Sequence, residues 1–163
     1  MEKIHKIILG VLSGILVVGI IVTVIVAMTR GNSNNFTPPP FDKAAVSGTP
    51  EIEDESLAYG VLALKEGFVM WACANPVIED GEAVVYFTAD AENTGWVRRI
   101  LMTEDGEQLG STGLLKAGEY VRSIALSQEI TEDMPIVMKF LSYEPKTYYS
   151  QGSADVSVIL RAH

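Results

Sequence analysis

Hydrophobic and polar positions divide the chain into three stretches of different character. From Ile7 to Met28 the run is apolar and free of charge, interrupted only by Gly10, Ser13, Gly14, Gly19 and Thr23. A helix of that length, rising about 1.5 Å per residue, measures about 33 Å and matches a hydrocarbon core of about 30 Å. Residues 7–29 are therefore read as one transmembrane helix, with residues 1–6 as a short tail. A cleaved leader would have an apolar region of only about 7–15 residues ending in a small-x-small site. Ile25-Val26-Ala27 puts a bulky residue at that site, so the helix is read as an uncleaved anchor.

After Arg30 the pattern disappears. Gly31-Asn32-Ser33-Asn34-Asn35, then Pro38-Pro39-Pro40, then the sparse acids Glu51, Glu53, Asp54 and Glu55 show no period. Residues 30–56 are read as a flexible spacer, about 28 Å across as a relaxed coil and about 85 Å when stretched.

From Leu57 onward, short apolar stretches rich in β-branched and aromatic residues alternate with turn signals. The expected strands are Leu57 to Leu64, Phe68 to Ala74, Glu82 to Ala89, Gly95 to Thr103, Glu119 to Ser127, Ile136 to Tyr143 and Ser153 to Arg161. The first of these also fits a short helix. Asn75-Pro76, Asp80-Gly81, Asp105-Gly106, Ala117-Gly118 and Gln151-Gly152 are among the separators. Alternation is clearest where Val156, Val158 and Leu160 take one face and Asp155, Ser157 and Arg161 the other. Residues 57–163 are thus expected to be all-β, an immunoglobulin-like antiparallel β-sandwich of about seven strands. Ala83 to Phe87 is apolar on both faces, which suits a central strand or one face meeting a partner.

Charge places this domain relative to the membrane. The first thirty residues hold Lys3, Lys6 and Arg30 against Glu2, a net +2, which leaves −11 on the rest of a chain whose total is −9. Basic residues before the span outnumber those after it, so the N-terminus is expected in the cytoplasm and the domain outside the cell, single-pass. So acidic a domain repels phosphate backbones, which excludes nucleic acid, and it is repelled by anionic headgroups.

Little catalytic chemistry is available. His5 and His163 are the two histidines, on opposite sides of the membrane in this topology, so no histidine triad or multi-histidine metal site can form. Cys73 is the single cysteine and reads as a small buried residue. Most carboxylates, such as Glu79-Asp80 and Glu104-Asp105, fall in turns. Asp90, Glu92 and Asn93 share a loop but match no calcium-loop spacing. No catalytic residue, cofactor or metal is expected, and the chain is not read as an enzyme.

Three groups remain. Gly10, Ser13 and Gly14 form a small-residue face through which two anchor helices could pack into a homo-oligomer, although glycine is common in membrane helices in any case. Tyr120, in Leu114-Leu115-Lys116-Ala117-Gly118-Glu119-Tyr120-Val121, is read as a structural tyrosine corner. Tyr143, Tyr148 and Tyr149 crowd one loop and are candidates for contact with a partner or a glycan.

These last two segments, with Asn93-Thr94-Gly95-Trp96, resemble small membrane-anchored extracytoplasmic β-sandwich proteins of Gram-positive anaerobic bacteria. Those proteins carry Pro-Gly-Glu-Tyr-Val where this chain has Ala117 to Val121, and Tyr-Glu-Pro-x-Thr-Tyr matches Tyr143 to Tyr148. The resemblance implies a fold and an envelope location, and no activity. The expected function is a non-catalytic interaction module with a protein partner in an envelope assembly for secretion, conjugation or surface fibres. The alternative is a domain that binds carbohydrate or cell wall through Trp71, Trp96, Tyr148 or Tyr149.

Overall fold

The computed structural model describes residues 37–65 and 68–162. The expected transmembrane helix over 7–29, its Gly10, Ser13 and Gly14 face and the tail 1–6 lie outside the described residues. Among the described residues no helix is long and apolar enough to cross a membrane. Pro38 to His163 form one compact unit.

The described residues of that unit form ten strands: β1 (Val46–Ser47), β2 (Tyr59–Lys65), β3 (Phe68–Cys73), β4 (Val77–Glu79), β5 (Glu82–Ala89), β6 (Trp96–Thr103), β7 (Gln108–Ser111), β8 (Glu119–Ala125), β9 (Met134–Tyr143) and β10 (Ser150–Leu160). They form two antiparallel sheets, one in the order β1-β8-β5-β3-β2 with β4 added beside β5, the other in the order β10-β9-β6-β7. Each predicted strand overlaps an observed one. The helical option for Leu57 to Leu64 resolves into one 3₁₀ turn, Glu55–Leu57, followed by β2.

Period-two alternation decides what each sheet buries. In β9, Ile136, Met138, Phe140 and Ser142 point inward. In β6 the inward set is Val97, Arg99, Leu101 and Thr103. Opposite them stand Phe68 and Met70 of β3, Val85 and Phe87 of β5, and Val121 and Ile124 of β8. Each large apolar side chain removed from water here contributes about 1.5–3 kcal/mol. β5 is buried almost throughout, as its two-sided apolar pattern predicts, because its other face carries Val84 into a second cluster with Leu57, Cys73 and Val77.

Three strands were not expected from sequence. β4 is joined to β5 by Asp80 and Gly81, both at positive φ, with Glu79 opposite Glu82, so Asp-Gly makes a two-residue hairpin there rather than a plain separator. β7 and β1 have four and two residues, too short to show alternation.

The spacer read over 30–56 ends earlier than its composition suggests. From Pro40 onward it runs along the sandwich: Leu114 N–H donates to the Pro40 carbonyl (2.8 Å), and Asp42 N–H donates to that of Leu114 (2.9 Å). Ala45 packs against the main core, and Ile52 and Leu57 against the smaller one. These apolar residues dock one at a time on separate surfaces, so they leave no period.

The turn before β8 explains the Ala117-Gly118 pair. Glu119 N–H donates to the Lys116 carbonyl (3.1 Å), Gly118 holds φ +76°, and the Glu119 carboxylate accepts from Lys116 N–H (2.8 Å). This is the type II pattern, which favours proline ahead of glycine, and the Ala117 N–H donates to no described residue. Ala117→Pro is expected to stabilise the domain by about 0.4–1 kcal/mol, read as a higher denaturant midpoint at unchanged slope.

The two flanks of the sandwich differ. Along β7 and β8 the sheets close tightly: Ser127 N–H donates to the Leu109 carbonyl (2.7 Å), and a Cβ on Gly110 would lie 2.5 Å from the Ala125 carbonyl oxygen. Along β2 and β10 they stay parted around a cleft of about 160 Å³.

Candidate functional site

The outer face of the first sheet carries a row of neighbours from strand to strand. Val61 of β2 lies opposite Trp71 of β3, Trp71 opposite Thr88 of β5, Thr88 opposite Tyr120 of β8, and Tyr120 opposite Val46 of β1. Tyr59 pairs with Cys73, two residues from Trp71, which makes Tyr59 and Trp71 diagonal neighbours within reach of each other. Their rings stack with centroids 5.9 Å apart and planes 22° from parallel.

Both rings are held at their polar ends. The Tyr59 hydroxyl donates to Thr88 Oγ1 (2.7 Å), whose own hydroxyl donates to the Tyr86 carbonyl (3.2 Å). The Trp71 indole N–H donates to Asp90 Oδ2 (3.2 Å), while Asp90 Oδ1 accepts from Glu92 N–H (2.9 Å). Partial burial raises the pKa of the Tyr59 phenol, the bond to Thr88 opposing it, so the group stays a neutral donor at neutral pH. The stack floors a cleft of about 440 Å³ whose walls include Gly48, Thr49, Thr88, Asp90 and Gly118. A planar apolar floor with fixed hydroxyl and carboxylate oxygens at its edge suits a ligand with one apolar face and hydroxyl groups around its rim.

Next to this cleft, Cys73 is fully buried among Leu57, Val77 and Val84. Burial pushes its thiol up to about 11, with Arg99 pulling in the opposite direction, so it is a packing residue and not a thiolate at neutral pH.

The loop Asp90-Glu92-Asn93 has structural work for two of its three oxygen-bearing side chains. The Asn93 amide grips the β3 backbone, accepting from Val69 N–H and donating to its carbonyl, each at 2.7 Å. Asp90 holds Trp71. No cluster of three or more metal-ligating side chains occurs among the described residues.

The tyrosines singled out from sequence fall elsewhere. Tyr143 lies opposite Trp96, and Tyr148 packs on the Trp96 ring (centroids 5.1 Å apart), which Phe41 also meets edge-on at 4.8 Å. Tyr149 alone of the three stands out, 74% exposed. Trp71 and Trp96 therefore belong to two separate aromatic groups. Tyr120 sits half-buried in β8 beside the first of them, and its hydroxyl bonds to no other described residue.

Tyr59 and Thr88 were missed. The signal was present in register: once β2 and β3 form a hairpin, Tyr59 and Trp71 share a face, and both lie near the same end of it. No family model matches the chain, and neither a curated protein nor a solved structure is significantly similar to it.

Proposed function

We propose that the chain is a non-catalytic binding module, held at the outer surface of the cell membrane by residues 7–29, that takes a glycan of the cell wall in the Tyr59–Trp71 cleft. The observation that carries this reading is the near-parallel, half-exposed stack beside Asp90 and Thr88. A pyranose lays its C–H face on such rings while its hydroxyls turn to fixed acceptors, and Asp90 keeps lone pairs free beyond its two bonds. The acidic surface disfavours anionic wall polymers and suits neutral sugars.

The chain has only two tryptophans, which gives a direct test. In a Trp96→Phe background, peptidoglycan fragments or neutral wall polysaccharide are expected to change the emission of Trp71. Trp71→Ala should weaken binding by about tenfold or more, measured by calorimetry. Emission of Trp71 unmoved by any wall fragment would sink the proposal.

A second reading, a protein-binding subunit of an envelope assembly, is favoured by the open edge strands. β10 is eleven residues long and borders the parted flank, and Ile159 and Val61 stand 46% and 55% exposed on β10 and β2. Such edges accept an added strand. Repeated recovery of the protein alone from solubilised membranes would count against this second reading.

The chain passes between sheets from β5 to β6, β7 to β8 and β8 to β9, which supports an immunoglobulin-like arrangement. The likeness to anchored envelope proteins of Gram-positive anaerobes supports the same location.

A further inference from the structure

Arg99 projects from β6 into the centre of the sandwich and is fully buried. Its Nε, Nη1 and Nη2 have no hydrogen-bond partner among the described residues. The guanidinium carbon lies 5.0 Å from the Phe140 ring centroid and 5.8 Å from that of Phe87. Ring faces attract the cation but accept nothing from N–H groups that point outward in the guanidinium plane. An unpaired buried charge costs more than stacking returns, so this is a site poised for an anion.

Arg99 does not itself line the cleft on the parted flank, but its neighbour Phe140 does. The cleft of about 160 Å³ there is lined by Val61, Leu62, Ala72 and Cys73, among others, from one sheet and by Met138, Phe140, Val156 and Val158 from the other. Phe140 thus borders both the cleft and the guanidinium. No charged or amide side chain lines the cleft.

We propose that this cleft binds a straight-chain carboxylate, its apolar tail between β2 and β10 and its carboxylate paired with Arg99. The lining demands an apolar tail, and the planar guanidinium demands a planar anion that can bond it through two oxygens. At about 30 Å³ for each water-sized group, the cleft holds about five methylenes, so an eight-carbon chain fills it and its end reaches solvent. Phe140 turns aside to let the head group in. Through Leu62 and Ala72 this site takes in the inward face of β2 and β3, opposite to the face that carries Tyr59 and Trp71, and its failure would leave the glycan reading untouched.

The test uses the full chain in nanodiscs, with thermal melts followed by tryptophan fluorescence in the presence of octanoate, octanol or acetate. Octanoate is expected to raise Tm by about 4 °C at ten times its Kd, and clearly more than octanol or acetate at equal concentration. Arg99→Met keeps the cleft and removes the cation, so it should reduce the octanoate gain to that of octanol. No shift with octanoate, equal shifts with octanoate and octanol, or an undiminished octanoate gain in Arg99→Met would each overturn the proposal.

Discussion

Arg99→Met is expected to stabilise the ligand-free domain by about 2 kcal/mol and to raise its melting temperature by about 6 °C. The guanidinium is wholly buried with its three nitrogens unpartnered, and desolvation lowers its pKa to about 9. It is therefore still charged at pH 7. An isolated cation in an apolar interior costs several kcal/mol, of which the contacts with Phe87 and Phe140 return about 2. Methionine fills a similar volume without the charge and adapts to an irregular space. The backbone should not move, because Arg99 N–H and its carbonyl are tied to Thr112, at 3.0 Å to Thr112 Oγ1 and 2.9 Å from Thr112 N–H. Thermal and denaturant unfolding of the two proteins would check this, and a less stable variant would show that the guanidinium makes bonds within the native core.

Gly113→Ala is expected to destabilise the domain by about 2–3 kcal/mol, the cost of forcing extra atoms into a filled contact. A Cβ at this position would stand 2.5 Å from Asp42 N, 2.6 Å from Asp42 Cα and 2.8 Å from the Phe41 carbonyl carbon. All three are backbone atoms, so no side-chain rotation can relieve the clash. The strand-like segment around Phe41 and Asp42 must then leave, and with it go the bond from Gly113 N–H to the Asp42 carboxylate (2.7 Å) and the bridge between Phe41 and Leu114. Phe41 would also lose its contact with Trp96. Lowered stability together with new proteolytic cleavage between Thr37 and Thr49 would confirm the mechanism. Lowered stability without new cleavage would place the damage elsewhere.

Both effects arise at positions whose meaning sequence could not disclose. Gly113 reads as one more loop glycine until the Phe41–Asp42 segment is seen lying on it. Arg99 follows Arg98 in a strand of alternating character, and either could have been the inward one. Register decides between them: Arg98 turns out to bond the Thr112 carbonyl (2.9 Å) and Ser111 Oγ (2.8 Å), and Arg99 turns in opposite Phe140. The candidate site divides in the same way. Trp71 was visible as an aromatic able to carry a sugar, but its partner Tyr59 comes from a strand that pattern alone left open to a helix.

What the amino-acid sequence determined by itself was the class of the folded domain and the places of its longer strands. Alternation in stretches such as Ile136 to Tyr143 and Ser153 to Arg161 is a local property, and one buried face suffices to impose it. The long apolar run of residues 7–29 is equally local, and it alone carries the expectation of an anchor. Only the tertiary structure decided the docking of residues 40–57, the short strands β1, β4 and β7, the Tyr59–Trp71 stack and the burial of Arg99. Each depends on which strands become neighbours across a sheet or between sheets. That pairing is set by packing between residues far apart in the chain, which no periodicity along it records.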